Sequence, residues 1–208
     1  LFDACLQANF SNASKAGEHY DLTKILEGTL VNARPELAVT LVENHDTQPL
    51  QSLEQTVEPW FRAHAYTITL LREAGYPCVF YADIYGSHYT DTGTDGKDHE
   101  VTLEPLPQLD RLLRLRKEKA YGPQCDYFDH PSCIGWTREG DQEHENSGLA
   151  IILSNGEAGH KAMEVGVQFA GKTFTDQLGH AQGEVVINEN GWGEFYCEAG
   201  SVSVWGVA

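Results

Sequence analysis

The sequence predicts an α/β segment followed by an all-β domain. Over residues 1–121, short apolar runs alternate with apolar stripes at helical spacing. After about Tyr121 the chain changes to short β-prone runs, and turn residues such as Ser154-Asn155-Gly156 separate them. We therefore expect three βα units, then an antiparallel β-sandwich over residues 122–208.

The α/β segment contains three predicted strands, each followed by a predicted helix. The strands are residues 1–6, 38–42 and 78–81, and the helices are residues 20–31, 50–71 and 106–115. The polar segment 87–101, rich in Gly and Asp, is predicted to be a loop. A closed (β/α)8 barrel takes roughly 250 residues, and three units would leave apolar strand edges unpaired. We therefore expect the chain to be the C-terminal part of a larger protein.

The β domain is predicted from six runs at regular spacing. They are residues 133–138, 148–153, 162–167, 184–187, 193–197 and 201–207. Several short strands separated by turn signals are typical of an antiparallel sandwich.

The composition of the chain argues against some classes of binding partner. A net charge of −17 makes nucleic acid and anionic membranes poor partners, because clustered Lys and Arg bind polyanions. No apolar run approaches the roughly 18 residues that span a bilayer, and no secretory signal peptide is recognisable. The five cysteines, an odd and widely spaced set, favour reduced, buried thiols over a disulfide framework. The chain starts at Leu1 within an apolar pattern, which suggests a cut from something longer.

Residues 41–49 combine the end of an apolar run with a dense set of polar side chains that could bind a ligand or transfer protons. The apolar run 38–42 reads as a strand buried on both faces, and ligand sites of parallel α/β folds lie at the carboxyl ends of such strands. Asp46 alone would also suit a helix cap. Its hydrogen-bonding neighbours favour a polyhydroxylated ligand, since each buried sugar hydroxyl needs a partner. These neighbours are Glu43, Asn44, His45 and Gln48.

Several motifs resemble the α-amylases, glycoside hydrolase family 13. Leu41 to Gln48 resembles the family's fourth signature region, in which Asn-His-Asp ends the seventh barrel strand. Residues 75–83 look like the eighth-strand region, with Ala82 where Gly is more usual. Further segments resemble bacterial liquefying and cytoplasmic α-amylases nearly end to end, among them residues 57–61, 120–124, 135–141 and 191–195.

The resemblance implies a fold and a site. Residues 1–121 would be the C-terminal part of a catalytic (β/α)8 TIM barrel, strands 6–8 with their helices. Asp46 would be the third catalytic carboxylate, which favours the distorted, oxocarbenium-like transition state. His45 would donate to the same sugar, Asn44 would orient His45 and Asp46, and Gln48 would shape the rim. Tyr85 and Tyr89 are candidates for stacking on glucose rings, with loop packing as the alternative.

The resemblance also implies what this chain lacks. In the family the nucleophile and the general acid/base lie on the fourth and fifth strands, upstream of Leu1. The parent protein would be an endo-acting α-amylase that hydrolyses α-1,4-bonds of starch, glycogen and maltooligosaccharides with retention, and the 208-residue chain alone would be inactive. The missing barrel half would come from the same or another chain. The resemblance to cytoplasmic forms favours a cytoplasmic over a secreted protein.

Calcium is implied for the full-length family member, with its principal ligands upstream of this chain. Some relatives carry another site between barrel and β domain, built from carbonyl groups near Tyr20 and from carboxylates at the positions of Ser132 and Asn155. Neither position holds a carboxylate here, so we expect that site to be weak or empty.

Two alternatives remain open from the residues. One is a non-catalytic glucan-binding or scaffold protein of the same fold. The other is a metal-dependent hydrolase in which His45 and Asp46 are ligands.

Overall fold

Residues 1–121 form helices around a short parallel sheet in the structure, a computed structural model that describes all 208 residues. The helices are α1 (Ala4–Ala16), α2 (Leu30–Ala33), α3 (Pro59–Leu71), α4 (Tyr81–Tyr85) and α5 (Leu109–Glu118). The strands are β1 (Val39–Leu41), β2 (Tyr76–Cys78), β3 (Ser87–Thr92) and β4 (Asp98–Leu103). β1 pairs in parallel with β2, and β3 forms an antiparallel hairpin with β4. No helix has the length and apolarity that crossing a membrane requires.

The second part is all-β, as predicted. Its strands are β5 (Gln124–Tyr127), β6 (Cys133–Arg138), β7 (Leu149–Ser154), β8 (Gly159–Glu164), β9 (Thr173–Asp176), β10 (Val185–Val186), β11 (Trp192–Cys197) and β12 (Val202–Val207). Six of them form one sheet in the order β10-β9-β12-β7-β6-β5, and β8 pairs with β11 as a separate ribbon. Each of the six predicted runs overlaps a strand, whereas β5 and β9 were not predicted. The sandwich therefore has one broad layer and one narrow layer.

The first predicted strand, residues 1–6, is wrong. Only Phe2 makes a β-bridge, to Val39, and α1 begins two residues later. Asp3 caps this helix, because its Oδ1 accepts the Leu6 N–H at 3.1 Å. Leu6, Phe10 and Ala13 then fall on one buried helical face.

The predicted helix over residues 20–31 is also wrong. A 3₁₀ turn at Leu22–Lys24 and the short α2 replace it. Gly28 has a φ of 71°, and Thr29 is the N-cap of α2, so the chain reverses where the apolar spacing suggested continuity.

Three other predictions need correction. The segment 87–101 is not a loop, since most of it lies in the β3–β4 hairpin. The third strand lies at residues 76–78 rather than 78–81, and Tyr81 already begins α4. The helix predicted from residue 50 begins at Pro59, a residue suited to the first turn of a helix. Two parallel strands do not establish a (β/α)8 barrel, so that assignment and the division at residue 121 stay predictions.

The central strands of the broad sheet, β6, β7 and β12, are buried on both faces. Along β7, Leu149, Ile151 and Leu153 belong to the core shared with the helices of residues 1–121, whereas Ala150 and Ile152 face the second core, under the β8–β11 ribbon. This period-two alternation between two apolar environments explains why β7 reads as one continuous apolar run. The β domain is thus packed directly on the segment that carries residues 41–49.

Candidate active site

The candidate site is the loop that follows β1. Leu41, Val42 and Glu43 are buried, and the chain reaches solvent at His45. The loop runs from Glu43 to Glu58, where α3 begins. Its geometry therefore depends on how these residues are bonded to one another.

Asn44 folds the tip of the loop. Its Oδ1 accepts the backbone N–H groups of Asp46 and Thr47, each at 2.9 Å. Thr47 Oγ1 accepts the Asn44 N–H at 3.1 Å in return. Such a side-chain-to-backbone turn fixes the two residues that it encloses. An orienting role for Asn44 requires contact with Asp46. The Asn44 side chain makes this contact with the backbone of Asp46, not with its carboxylate.

Glu43 anchors the same loop from beneath. It is 8% exposed, its Oε1 accepts the Val57 N–H at 2.6 Å, and its Oε2 accepts the Thr47 hydroxyl at 3.1 Å. Burial is the main cause that raises the pKa of Glu43 from 4.5 to about 7, and the charge of Asp83 adds to it, while both hydrogen bonds oppose it. One buried carboxyl group thus joins the start of the loop to its end.

Asp46 and His45 project at the tip. The side chain of His45 is 81% exposed and that of Asp46 is 46% exposed, and His45 Nε2 lies 3.5 Å from Asp46 Oδ1. The Asp46 backbone carbonyl accepts the Leu53 N–H at 3.1 Å. Asp46 therefore has a fixed backbone and a carboxylate accessible to a ligand. The two side chains would provide only two ligands for a metal ion.

Of the other predicted site residues, Gln48 and Tyr89 lie at this loop. Gln48 lines a cavity of about 350 Å³ together with Glu43, Arg62 and Asp83. Tyr89 donates its hydroxyl to the Pro49 carbonyl at 2.6 Å, which is loop packing. Tyr85 is exposed, and its ring contacts Tyr81 with centroids 4.7 Å apart.

A buried polar cluster behind the loop was not predicted. Asp83, 3% exposed, accepts hydrogen bonds from Arg62 and from the Tyr66 hydroxyl. Burial is the largest influence on the pKa of Asp83 and raises it, although Arg62 acts in the opposite direction. The Asp83 carbonyl also accepts the Leu106 N–H. The cluster joins α3 to α4 and to the start of α5.

A sequence signal for this cluster existed. Arg62 and Tyr66 are four residues apart in a largely apolar helix, so they share one face. A charge on such a face needs a buried partner. Nothing in the spacing identifies Asp83 as that partner, because it lies on another element.

The residues at the junction with the β domain do not fit calcium. The Asn155 Nδ2 donates to the carbonyls of Gly17 and Tyr20, each at 2.8 Å, and Ser132 offers no carboxylate. An amide N–H group already satisfies the two oxygens that would bind a cation, and calcium sites need several oxygen ligands with charged ones among them.

We predict that Glu43→Gln removes a pH-dependent loss of stability. The raised pKa means that the folded state holds the Glu43 proton more tightly than the unfolded state, so its stabilising contribution is full below about pH 4.5 and is lost as the pH rises through about 7. The parent should lose up to about 3 kcal/mol from this group between these limits. Gln keeps an acceptor for the Val57 N–H and has no proton to lose.

The measurement is chemical denaturation of parent and variant at about pH 5 and about pH 8. The free energy of unfolding of the variant, minus that of the parent, should be larger at about pH 8 than at about pH 5. Glu118→Gln, on the exposed end of α5, is the matched control and should follow the parent. An unchanged difference at the two pH values would contradict the assignment.

We predict that Asn155→Asp makes the junction calcium-dependent. The substitution places a buried negative charge against two carbonyl oxygens, which should cost about 2–4 kcal/mol without a cation. Calcium should restore part of this loss, because the new carboxylate and the two carbonyls then form a ligand set. The readout is the increase of Tm on adding calcium, compared between Asn155→Asp, the exposed control Asn190→Asp and the parent. Equal increases in all three proteins would refute the prediction.

Comparison with known proteins shows which proteins the chain is similar to. A family model described as "Alpha-amylase C-terminal" matches residues 149–206. The chain is 50% identical over 205 residues to the cytoplasmic α-amylase of Escherichia coli K12, covering 99% of this chain and 41% of that protein. It is 47% identical over 205 residues to the α-amylase of Bacillus licheniformis, covering 99% and 39%. The chain thus spans about two fifths of the length of these curated relatives.

A solved structure shares the fold. An α-amylase I mutant from Eisenia fetida, in complex with maltohexaose, superposes with a TM-score of 0.70 at 14% identity, over 100% of this chain and 49% of that one. Because the sequence matches extend across both the loop of residues 41–49 and the β domain, the chain is similar to α-amylases over nearly its whole length, and its residues 149–206 carry their C-terminal domain.

Proposed function

We propose that this chain supplies one catalytic carboxylate, Asp46, to a complete α-amylase that hydrolyses α-1,4-glucosidic bonds of starch, glycogen and related oligosaccharides. The observation that carries the proposal is the loop after β1, in which an accessible carboxylate stands on a backbone fixed by Asn44 and Glu43. The relatives that match nearly the whole chain are named α-amylases.

Asp46 acts on the transition state in this proposal. A sugar ring that approaches an oxocarbenium ion changes shape and gains positive charge. A carboxylate whose position is fixed beforehand binds that distorted ring better than the relaxed one, and only such a differential interaction accelerates the reaction. The loop hydrogen bonds supply the fixed position, since the backbone N–H and C=O of Asp46 are both bonded.

The neighbouring residues bind the same sugar. His45, exposed beside Asp46, donates a ring N–H to a hydroxyl group. Asn44 positions Asp46, and Gln48 shapes the wall of the adjoining cavity. Tyr85, exposed with Tyr81, offers an aromatic face to a glucose ring further along the chain of sugars.

The reaction also needs a nucleophile and a general acid/base, which in a retaining enzyme stand roughly 5 Å apart. We assign both to the part of the polypeptide upstream of Leu1, within a (β/α)8 barrel of which residues 1–121 form the last units. The 208-residue chain alone is then inactive toward glucan. We also propose a cytoplasmic location, because the E. coli relative is named a cytoplasmic α-amylase and all five cysteines are free thiols.

We predict that Asp46→Asn in the complete polypeptide lowers kcat by about 10²–10³-fold, as expected when a transition-state interaction of about 3–4 kcal/mol is lost. KM for a maltooligosaccharide should change far less, because the relaxed sugar gains little from Asp46. Release of reducing sugar over a range of substrate concentrations measures both constants.

Asp110→Asn, an exposed residue in the first turn of α5, serves as the matched control and should retain parental constants. The 208-residue chain, assayed alone, should release no reducing sugar. Weaker binding with an unchanged kcat in Asp46→Asn would support the glucan-binding alternative instead, and hydrolysis by the isolated chain would overturn the assignment of the missing carboxylates.

A further inference from the structure

Two cysteines lie close together inside the β-sandwich. Cys133 begins β6 and Cys197 ends β11, and they are 7% and 2% exposed. Both sulfur atoms lie next to Gly159 of β8. Both belong to the second core, under the β8–β11 ribbon, whereas the other three cysteines are exposed.

A glycine makes this meeting possible. Gly159 lies on β8 directly opposite Cys197. A Cβ atom at Gly159 would lie 2.4 Å from the Cys133 Sγ and 3.9 Å from the Cys197 Sγ. No other residue type leaves room for the first sulfur, so Gly159 holds open the space in which the two thiols meet.

The two cysteines belong to different layers. β6 is part of the six-stranded sheet, and β11 is part of the two-stranded ribbon. A bond between the sulfurs would therefore join the two layers covalently.

Cys133 is the accessible member of the pair. It lines a surface cavity of about 830 Å³, together with Lys161, Asp129, His160 and Glu194, and Cys197 does not reach this cavity. Lys161 is 8% exposed and forms an ion pair with Asp129. The cavity gives a small thiol-reactive molecule a route to the sulfur of Cys133.

The surroundings also assign the roles of the two sulfurs. The neighbouring Cys197 thiol, and secondarily the charge of Lys161, lower the pKa of Cys133, although burial opposes this. Of the two cysteines, only Cys133 lines the cavity, and Lys161 lies in the wall of the same cavity. Cys133 is therefore the sulfur that a small disulfide reaches and that attacks first.

We propose that Cys133 and Cys197 are a site of thiol–disulfide exchange, in which oxidised glutathione or a similar small disulfide converts the pair to an intramolecular disulfide. The Cys133 thiolate attacks one sulfur of the small disulfide, whose S–S bond breaks and releases one thiolate. Cys197 then loses its proton and attacks the Cys133 sulfur, which releases the second thiolate. Two protein thiols are oxidised and one small disulfide is reduced to two thiols, because the two protons that the cysteines lose protonate the two released thiolates.

The experiment exposes the complete, folded polypeptide to oxidised glutathione, quenches it with acid, blocks free thiols and maps the peptides by mass spectrometry. The expected product is one cross-linked peptide pair that joins Cys133 to Cys197, with a loss of two hydrogens. Cys125, exposed on β5, should carry only a glutathione adduct. Absence of the cross-link while Cys125 reacts would overturn the proposal, and this outcome requires no variant.

Variants then test the order of the two attacks. Cys197→Ser should accumulate a glutathione adduct at Cys133, because the resolving thiol is gone. Cys133→Ser should leave Cys197 unmodified at times when that adduct has formed. The control Cys125→Ser, at an exposed position of β5, should form the cross-link at the parental rate. An adduct at Cys197 forming as fast as the one at Cys133 would refute the assigned roles.

Discussion

The buried carboxyl group of Glu43 is the constraint on which the candidate site depends. It accepts hydrogen bonds from Val57 and Thr47, and so it closes the segment between β1 and α3 into a loop of fixed shape. Asn44 adds a turn at the tip, so the backbone N–H and C=O of Asp46 are both hydrogen-bonded before a ligand arrives. Fixing a catalytic group before binding is what makes its charge effective, because no free energy is spent on ordering it during the reaction.

The second constraint is the two-faced sheet. Because β7 buries alternate residues in two different cores, the β domain forms a wall of the core that supports α3 and β1. His64 on α3 hydrogen-bonds the Ser154 carbonyl at 3.0 Å, and Asn155 next to it bonds two carbonyls of residues 17–20. Packing and direct hydrogen bonds thus connect the β domain to α3, which follows the site loop, and to the turn after α1.

The sequence predicted the β domain better than the α/β part, for a physical reason. A short apolar segment with turn residues at both ends can form few structures other than a strand. Near Leu1, the apolar run also suited the helix that Asp3 caps, and nothing local distinguishes the two. At the site, the polar loop was visible in the sequence, whereas the partnership of Asp83 with Arg62 joins separate elements and needs the three-dimensional arrangement.

The most direct test of this account is a crystal structure of the complete polypeptide with an unhydrolysed maltooligosaccharide bound. The account predicts that an Asp46 carboxylate oxygen lies about 3 Å from sugar hydroxyl groups, with His45 bonded to the same sugar and the Glu43–Val57 hydrogen bond intact. A sugar bound away from this loop, with Asp46 facing only water or covered by upstream backbone, would contradict it.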